Sequence, residues 1–261
     1  MTKRVYSFKP QKQDTRDKMF HHLGATPVTL PSSYDIRTKL GVPIVFNQLQ
    51  LSSCTANASA LCYMYMLKKE GLPKFVPSRL FIYANSRILE NTPLTEDSGA
   101  ALRDVMKAIQ TKHVCSENTW PYIEKNVSVK PPLAAYSVAA QHKQFQYLAV
   151  DQTETAIKTA LLNDHAIVFG LQLFPEFESE AVAKTGIVPM PNTSEEIIGG
   201  HALTLLGYND AKKCFAVGNS WGDKLHNSPW GISGDGWCWV PYDYILNPDL
   251  ACDFWIIQAC N

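Results

Sequence analysis

The stretch F-N-Q-L-Q-L-S-S-C-T-A-N-A-S-A, Phe46 to Ala60, holds a single cysteine, Cys54. Small and polar residues surround it. After it, Ala56, Leu61 and Tyr65 recur at helical spacing as far as Lys69, and Gly71 ends the pattern. The spacing predicts a helix over 53–69 with a thiol in its first turn. A helix N-terminus offers free N–H groups and the positive end of the macrodipole, and both favour an anion. Because a thiol attacks as its thiolate, this placement suits a nucleophile. Cys62, in mid-helix, reads as core.

Outward from this segment the first half of the chain is helical. Pro77-Ser78 opens a second helix with Phe81, Ile82 and Ile88 on its apolar face. Ser98-Gly99 precedes a third, from about Ala100 to Thr111. Pro121, Pro131 and Pro132 then break the chain. In the second half, Thr153–Leu162 reads as a helix, and 166–174, 201–208, 214–219 and 236–241 read as short strands. Asn209-Asp210 makes a hairpin turn between the second and third of these. Helices first and antiparallel strands later predict an α+β protein of two lobes, divided as 30–133 and 134–261. Residues 1–29 are polar with little periodicity and read as a poorly packed extension.

Composition narrows the function classes. Lys+Arg and Asp+Glu both count 24, which argues against nucleic acid or an anionic membrane as partner. No run of apolar residues is long enough to span a bilayer. Met1–Lys18 lacks the apolar core of a secretory signal, so an intracellular, cytoplasmic location is expected. The cysteine count is 7, an odd number, which leaves at least one unpaired. No C-x-x-C pair suggests zinc, and no metal or cofactor is expected. Mostly buried free thiols in a reducing compartment are the simplest reading.

A thiolate needs an imidazole partner. Of the 7 histidines, His21 and His22 lie in the extension, and His113, His142, His165 and His226 sit in polar or loop contexts. His201 differs. It begins an apolar strand behind Gly199-Gly200, and paired glycines let a backbone or substrate approach closely. Asn219 ends the next strand, and a hairpin would bring it to His201, where it could orient the ring.

Q-x5-C, then G-G-H-A, then N-S-W-G, in that order, resembles the papain and cathepsin family of cysteine proteases. L-P-S-S-Y-D-I-R (30–37) is similar to the mature start of that family, D-S-G-A (97–100) to its substrate strip, W-P-Y (120–122) to the segment closing its first lobe, and W-G-I-S-G-D-G-W (230–237) to a late signature. The resemblance implies a two-lobe fold with a helical first lobe, a β-barrel-like second lobe and the site in the cleft between them. It implies a cysteine endopeptidase acting on peptides or proteins through a Cys54 thioester, as a monomer. His201 would be the acid/base, Asn219 would hold its ring, and Trp221 would cover that hydrogen bond. Gln48, rather than Gln50, has the spacing of the oxyanion-hole glutamine. Ser98, Gly99 and Gly200 would bind substrate backbone, and Ala100, Ala101 and Ala202 suggest room for a bulky apolar substrate residue. Residues 1–29 would be a short inhibitory propeptide, as in a zymogen, docking Phe8, Pro10, Phe20 and Leu23 in the cleft.

The chain also departs from that pattern. Leu51 stands where the family carries a bridging cysteine, and Thr55 where it carries tryptophan. No histidine-bearing insertion follows the substrate strip, which disfavours dipeptidyl-carboxypeptidase action. Other readings are a catalytically silent papain-fold binding protein, a transpeptidase using the same thiol, and an esterase with Ser220 as nucleophile, since G-N-S-W-G fits G-x-S-x-G.

Overall fold

The computed structural model describes residues 5–12, 14–20, 29–42, 44–142, 144–192, 194–222 and 236–260. The expected helix begins at the cysteine itself: Cys54–Lys69 is the long central helix, ending at Glu70 with Gly71 in the left-handed region at φ 62°. It is labelled α2, because the short strand β1 (Ser33–Asp35) and helix α1 (Ile36–Leu40) come before it. Residues 54–63 of α2 are buried without interruption. That requires a helix nearly free of charge there, with Ala56, Ala58, Ser59 and Ala60 letting neighbours approach closely.

Two further helices pack beside it, α3 (Arg79–Leu89) and α4 (Leu102–Lys112). Ser78 caps α3 by accepting the Phe81 N–H, a contact worth about 1 kcal/mol. A fifth helix, α5 (Leu133–Ala139), buries Ala135 and Ala139 against Phe81 and Cys115. The helical side therefore runs past the expected boundary at 133.

Six strands complete the sheet that β1 joins: β2 (Phe145–Ala149), β3 (Ile167–Leu173), β4 (Gly199–Asn209), β5 (Cys214–Gly218), β6 (Trp237–Pro241) and β7 (Ala251–Ala259). The helix α6 (Glu154–Leu162), capped by Thr153, lies between β2 and β3. The short helices α7 (Glu180–Thr185) and α8 (Tyr242–Leu246) sit in later connections. Strand order is β2-β7-β3-β4-β5-β6, every pair antiparallel, with β1 added to the end of β4, Ser33 opposite Asn209. The first lobe thus begins with a strand that belongs to the second lobe's sheet.

The sheet separates two cores. One lies between α2 and the sheet and includes Leu61, Met66, Val168 and Trp255; the other holds Phe169, Leu203, Phe215 and Ile256. Two hydrogen bonds tie α2 to the sheet directly, Thr204 Oγ1 to the Ala58 carbonyl at 3.0 Å and Cys62 Sγ to the Ala166 carbonyl at 3.2 Å. They set the height at which Cys54 meets β4.

Within the extension, the described residues 5–12 and 14–20 are packed, contrary to the reading of the segment as loose. Its polar composition supplies the anchors. Arg103, at the start of α4, forms an ion pair with Asp17 at 2.7 Å and donates to the Lys12 carbonyl. Gln11 accepts from the Arg103 N–H and donates to Asp104. Lys18 and Phe20 bond to both backbone groups of Ala149, covering the free edge of β2. Phe8 is buried, Phe20 is half-buried and Pro10 is exposed. Leu23, His21, His22, His226 and most of 230–237 lie outside the described residues.

Candidate active site

Cys54 opens α2 and is fully buried. The turn before it is braced from several directions. Ser52 donates its N–H to Asp97 Oδ2 at 2.9 Å, and Ser53 Oγ meets the Tyr122 hydroxyl at 2.6 Å. Asn57 donates to the Ser53 carbonyl and is held by Arg79, whose guanidinium also pairs with Glu117. This polar network, buried under the helix start, fixes the Cys54 backbone.

His201 stands opposite Leu171 where β4 pairs with β3, and is also fully buried. Its Nε2 lies 2.9 Å from Asn219 Oδ1, which also accepts the Ser220 N–H at 2.7 Å. An atom accepting a backbone N–H is the oxygen of the amide, so Nε2 carries the proton and donates. Nδ1 is left as the basic nitrogen. Trp221 lies over this pair, its ring 5.3 Å from the imidazole and inclined by 30°. The backbone N–H of Asn219 is held by the Gly236 carbonyl at 2.9 Å.

Gln48 is buried, whereas Gln50 is exposed and engages Glu124 through its backbone. The Gln48 amide donates to the Leu51 carbonyl at 3.0 Å and accepts from Ser220 Oγ at 2.7 Å. Its main chain is clamped as well, the N–H to the Ser220 carbonyl and the carbonyl to the Tyr122 hydroxyl. Ser220 therefore orients Gln48, a role the sequence did not suggest. Its hydroxyl is committed there and does not sit as an esterase nucleophile beside a base.

The strip Ser98-Gly99 faces the turn that carries Cys54. Asp97 joins them, since it accepts from both Ser52 and the Tyr83 hydroxyl, and Tyr83 accepts the Gly99 N–H at 2.9 Å. Asp97 and Tyr83 were not singled out from the sequence, although Asp97 lies within the D-S-G-A motif. Gly99 has φ 75°, and Gly200 lies across the cleft from it, at the start of β4.

Residues 6–8 occupy the space between these walls. Ser7 lies so close to Gly99 that a Cβ there would come within 2.2 Å of its carbonyl oxygen. Ser7 Oγ donates to the Ser52 carbonyl and Phe8 donates its N–H to the Gly200 carbonyl at 3.0 Å. The Phe8 ring enters a hole floored by Gly170, where a Cβ would lie 2.0 Å from its Cζ. Beyond it, Gln11 donates its N–H to Asp253, whose carboxyl is held above the usual range by burial. Under this cover, burial pushes the Cys54 thiol up to about 11; backbone groups of Ala202, Thr55 and Ser7 act in the opposite direction.

A model of the papain family cysteine proteases matches residues 30–240, the span that carries Cys54, His201 and Asn219. The chain belongs to the papain family of cysteine proteases. An uncharacterized peptidase C1-like protein of Acanthamoeba polyphaga mimivirus is 41% identical over 244 residues, 89% of this chain and 76% of its relative. Xylellain, a cysteine protease from Xylella fastidiosa, is 30% identical with a TM-score of 0.85, covering 100% of this chain and 99% of its own. A procathepsin B from Trypanosoma congolense has a TM-score of 0.75 at 13% identity, covering 98% and 87%, and shares the fold. In this papain-family chain all seven cysteines are unpaired, including Cys54. Among the described residues, no group of three or more His, Cys, Asp and Glu side chains could hold a metal ion.

Proposed function

We propose that the protein is a cysteine endopeptidase that hydrolyses peptide bonds through a thioester on Cys54, and that it is latent while residues 6–8 are in place. The observation that carries the first part is the polarised His201–Asn219 pair. Asn219 Oδ1, fixed by Ser220, keeps the proton on Nε2 and so makes Nδ1 the basic nitrogen of the ring. The reaction then follows from these residues. His201 takes the thiol proton, and the Cys54 sulfur attacks the carbonyl carbon. The oxyanion is held by the Cys54 N–H and the Gln48 amide. The imidazolium returns its proton to the leaving amine, the C–N bond breaks, and the acyl group remains on sulfur. His201 next deprotonates a water that attacks the thioester, releasing the acid and the thiol.

Latency rests on residues 6–8, which stand where a substrate backbone would lie between Gly99 and Gly200. The raised thiol of the covered site fits a resting state that does not react. Substrate binding would follow displacement of this segment, with Ser98, Gly99 and Gly200 then meeting the substrate main chain and the hole above Gly170 accepting a bulky apolar side chain. A biotinylated epoxysuccinyl peptide tests the assignment. The unsubstituted chain should label slowly and only at Cys54, and a Phe8→Ala chain should label much faster at the same residue. Labelling at another cysteine, or none in either chain, would overturn it.

A further inference from the structure

Tyr6 lies on the other side of Ser7 from Phe8, toward His201. Its ring meets the imidazole edge-on, at 5.7 Å and 78°, and leans on Trp221 at 6.2 Å. Trp221 is held in turn by Phe177, which meets it edge-on at 5.6 Å and is itself buried. Beneath Tyr6 the chain is Gly199, with φ 147°, where a Cβ would come within 2.5 Å of the Tyr6 Cβ. The Tyr6 hydroxyl donates to Glu178 Oε1. Glu178 ends the 3-10 turn Pro175–Glu178, in which Phe177 points inward and the Glu178 carboxylate remains exposed.

The ledge thus has an aromatic wall, a glycine floor and one carboxylate at the far end. The geometry points to a side-chain subsite on the His201 side of the thiol that selects tyrosine, with Glu178 as its specificity-determining residue. This rests on the peptidase reading. A side-chain site reads the ring and the group at its tip, whichever way the backbone that brings them runs. Phenylalanine fills the wall but gives Glu178 no donor. Lysine gives the donor but leaves the Trp221 face poorly covered. Hydrogen bonds to charged groups are stronger than neutral ones, so tyrosine is favoured over phenylalanine by about tenfold. Tyr6 occupies this subsite in the unsubstituted chain.

The test uses the 261-residue chain with Tyr6→Ala and Phe8→Ala, which empties both side-chain positions while the anchors at Gln11, Asp17 and Phe20 remain. Alanine-based pentapeptides, each with one Tyr, Phe or Lys scanned through the positions, are assayed for protecting Cys54 against iodoacetamide, read by mass spectrometry. At one position the Tyr peptide should protect at about tenfold lower concentration than the Phe peptide. The advantage should vanish when Glu178→Ala is added, with the Phe peptide unchanged. Glu178 is exposed, and circular dichroism confirms that each chain is folded. Equal protection by Tyr and Phe, a Tyr advantage that survives Glu178→Ala, or a stronger Lys peptide would each overturn the subsite. Cleavage of the same peptides is scored separately. Tyrosine-selective protection without cleavage would sink the peptidase reading and leave the subsite standing.

Discussion

The Phe8 ring fills the space that a side chain on Gly170 would need, so a Cβ there would stand 2.0 Å from the ring's Cζ. Gly170 lies in the middle of β3, opposite Ala202, where alanine suits the strand. Gly170→Ala should therefore keep the sheet and expel the ring. Burying a phenylalanine contributes about 1.5–3 kcal/mol, so its loss should raise Cys54 alkylation by roughly tenfold to a hundredfold. Phe8→Ala should do the same, and the double variant should add little. Independent, additive increases would mean that the ring and Gly170 do not share this space.

The extension has a second anchor in the Arg103–Asp17 pair, in which both side chains are largely buried. Breaking one side leaves the other charge unpaired, which costs more than loss of a surface bridge. Asp17→Asn should increase both Cys54 alkylation and limited proteolysis within residues 5–20, with the melting temperature of the rest of the chain little changed. Unaltered proteolysis would show that this pair does not hold the segment down.

Gln48 and Ser220 give a graded expectation for turnover. Removing an oxyanion donor typically lowers kcat by about 10²–10³. In a Phe8→Ala background, Gln48→Ala should fall in that range with little change in KM. Ser220→Ala should fall by less, because Leu51 and the clamped main chain still position the amide. Gln50→Ala should have no effect. A Gln50→Ala loss equal to that of Gln48→Ala would reassign the oxyanion donor.

His165 ties the far end of the extension to pH. It is buried, Phe20 meets its ring edge-on at 5.4 Å, and Lys69 Nζ lies 2.7 Å from Nε2. Burial first, and then the Lys69 charge, lower its pKa from 6.5 to about 3, against a smaller opposite effect of Asp164. The neutral ring is therefore favoured in the fold. Its contribution is complete above pH 6.5 and is lost as pH falls toward 3. Melting curves should show an acid-induced drop over that window that is smaller in His165→Gln. An identical drop in both chains would place the acid sensitivity elsewhere.

The buried thiols act at the other end of the scale. Burial raises Cys62 and Cys238 to about 12 from an ordinary 9.0. Stability from these groups is full below pH 9 and lost as pH rises through their folded values. Cys62→Ala should soften the alkaline loss of melting temperature while leaving Cys54 alkylation unchanged at neutral pH. An alkaline limb of the same depth would remove Cys62 as its source.

Much of the fold and the site could be read from local signals. The cysteine at the head of a small-residue helix, the helix openings at Ser78 and Thr153, and the hairpin from β4 to β5 each declare themselves within a few residues. Strands β2 and β7 did not. The F-Q-Y-L-A and A-C-D-F-W-I-I-Q-A segments are strands because they pair with each other, and the second also with β3, contacts that no local pattern announces. The docking of residues 5–20 was equally hidden, since its polar residues look solvated until Asp17 and Gln11 meet Arg103. Ser220 reads as a possible nucleophile in G-N-S-W-G, and only its contact with Gln48, far away in sequence, shows what its hydroxyl does.

The most direct test is cleavage of a fluorogenic peptide by the Phe8→Ala chain, compared with the same chain carrying Cys54→Ala or Ser220→Ala. The account predicts turnover in the first, none above background with Cys54→Ala, and a reduced but measurable rate with Ser220→Ala. Undiminished cleavage by the Cys54→Ala chain would contradict it.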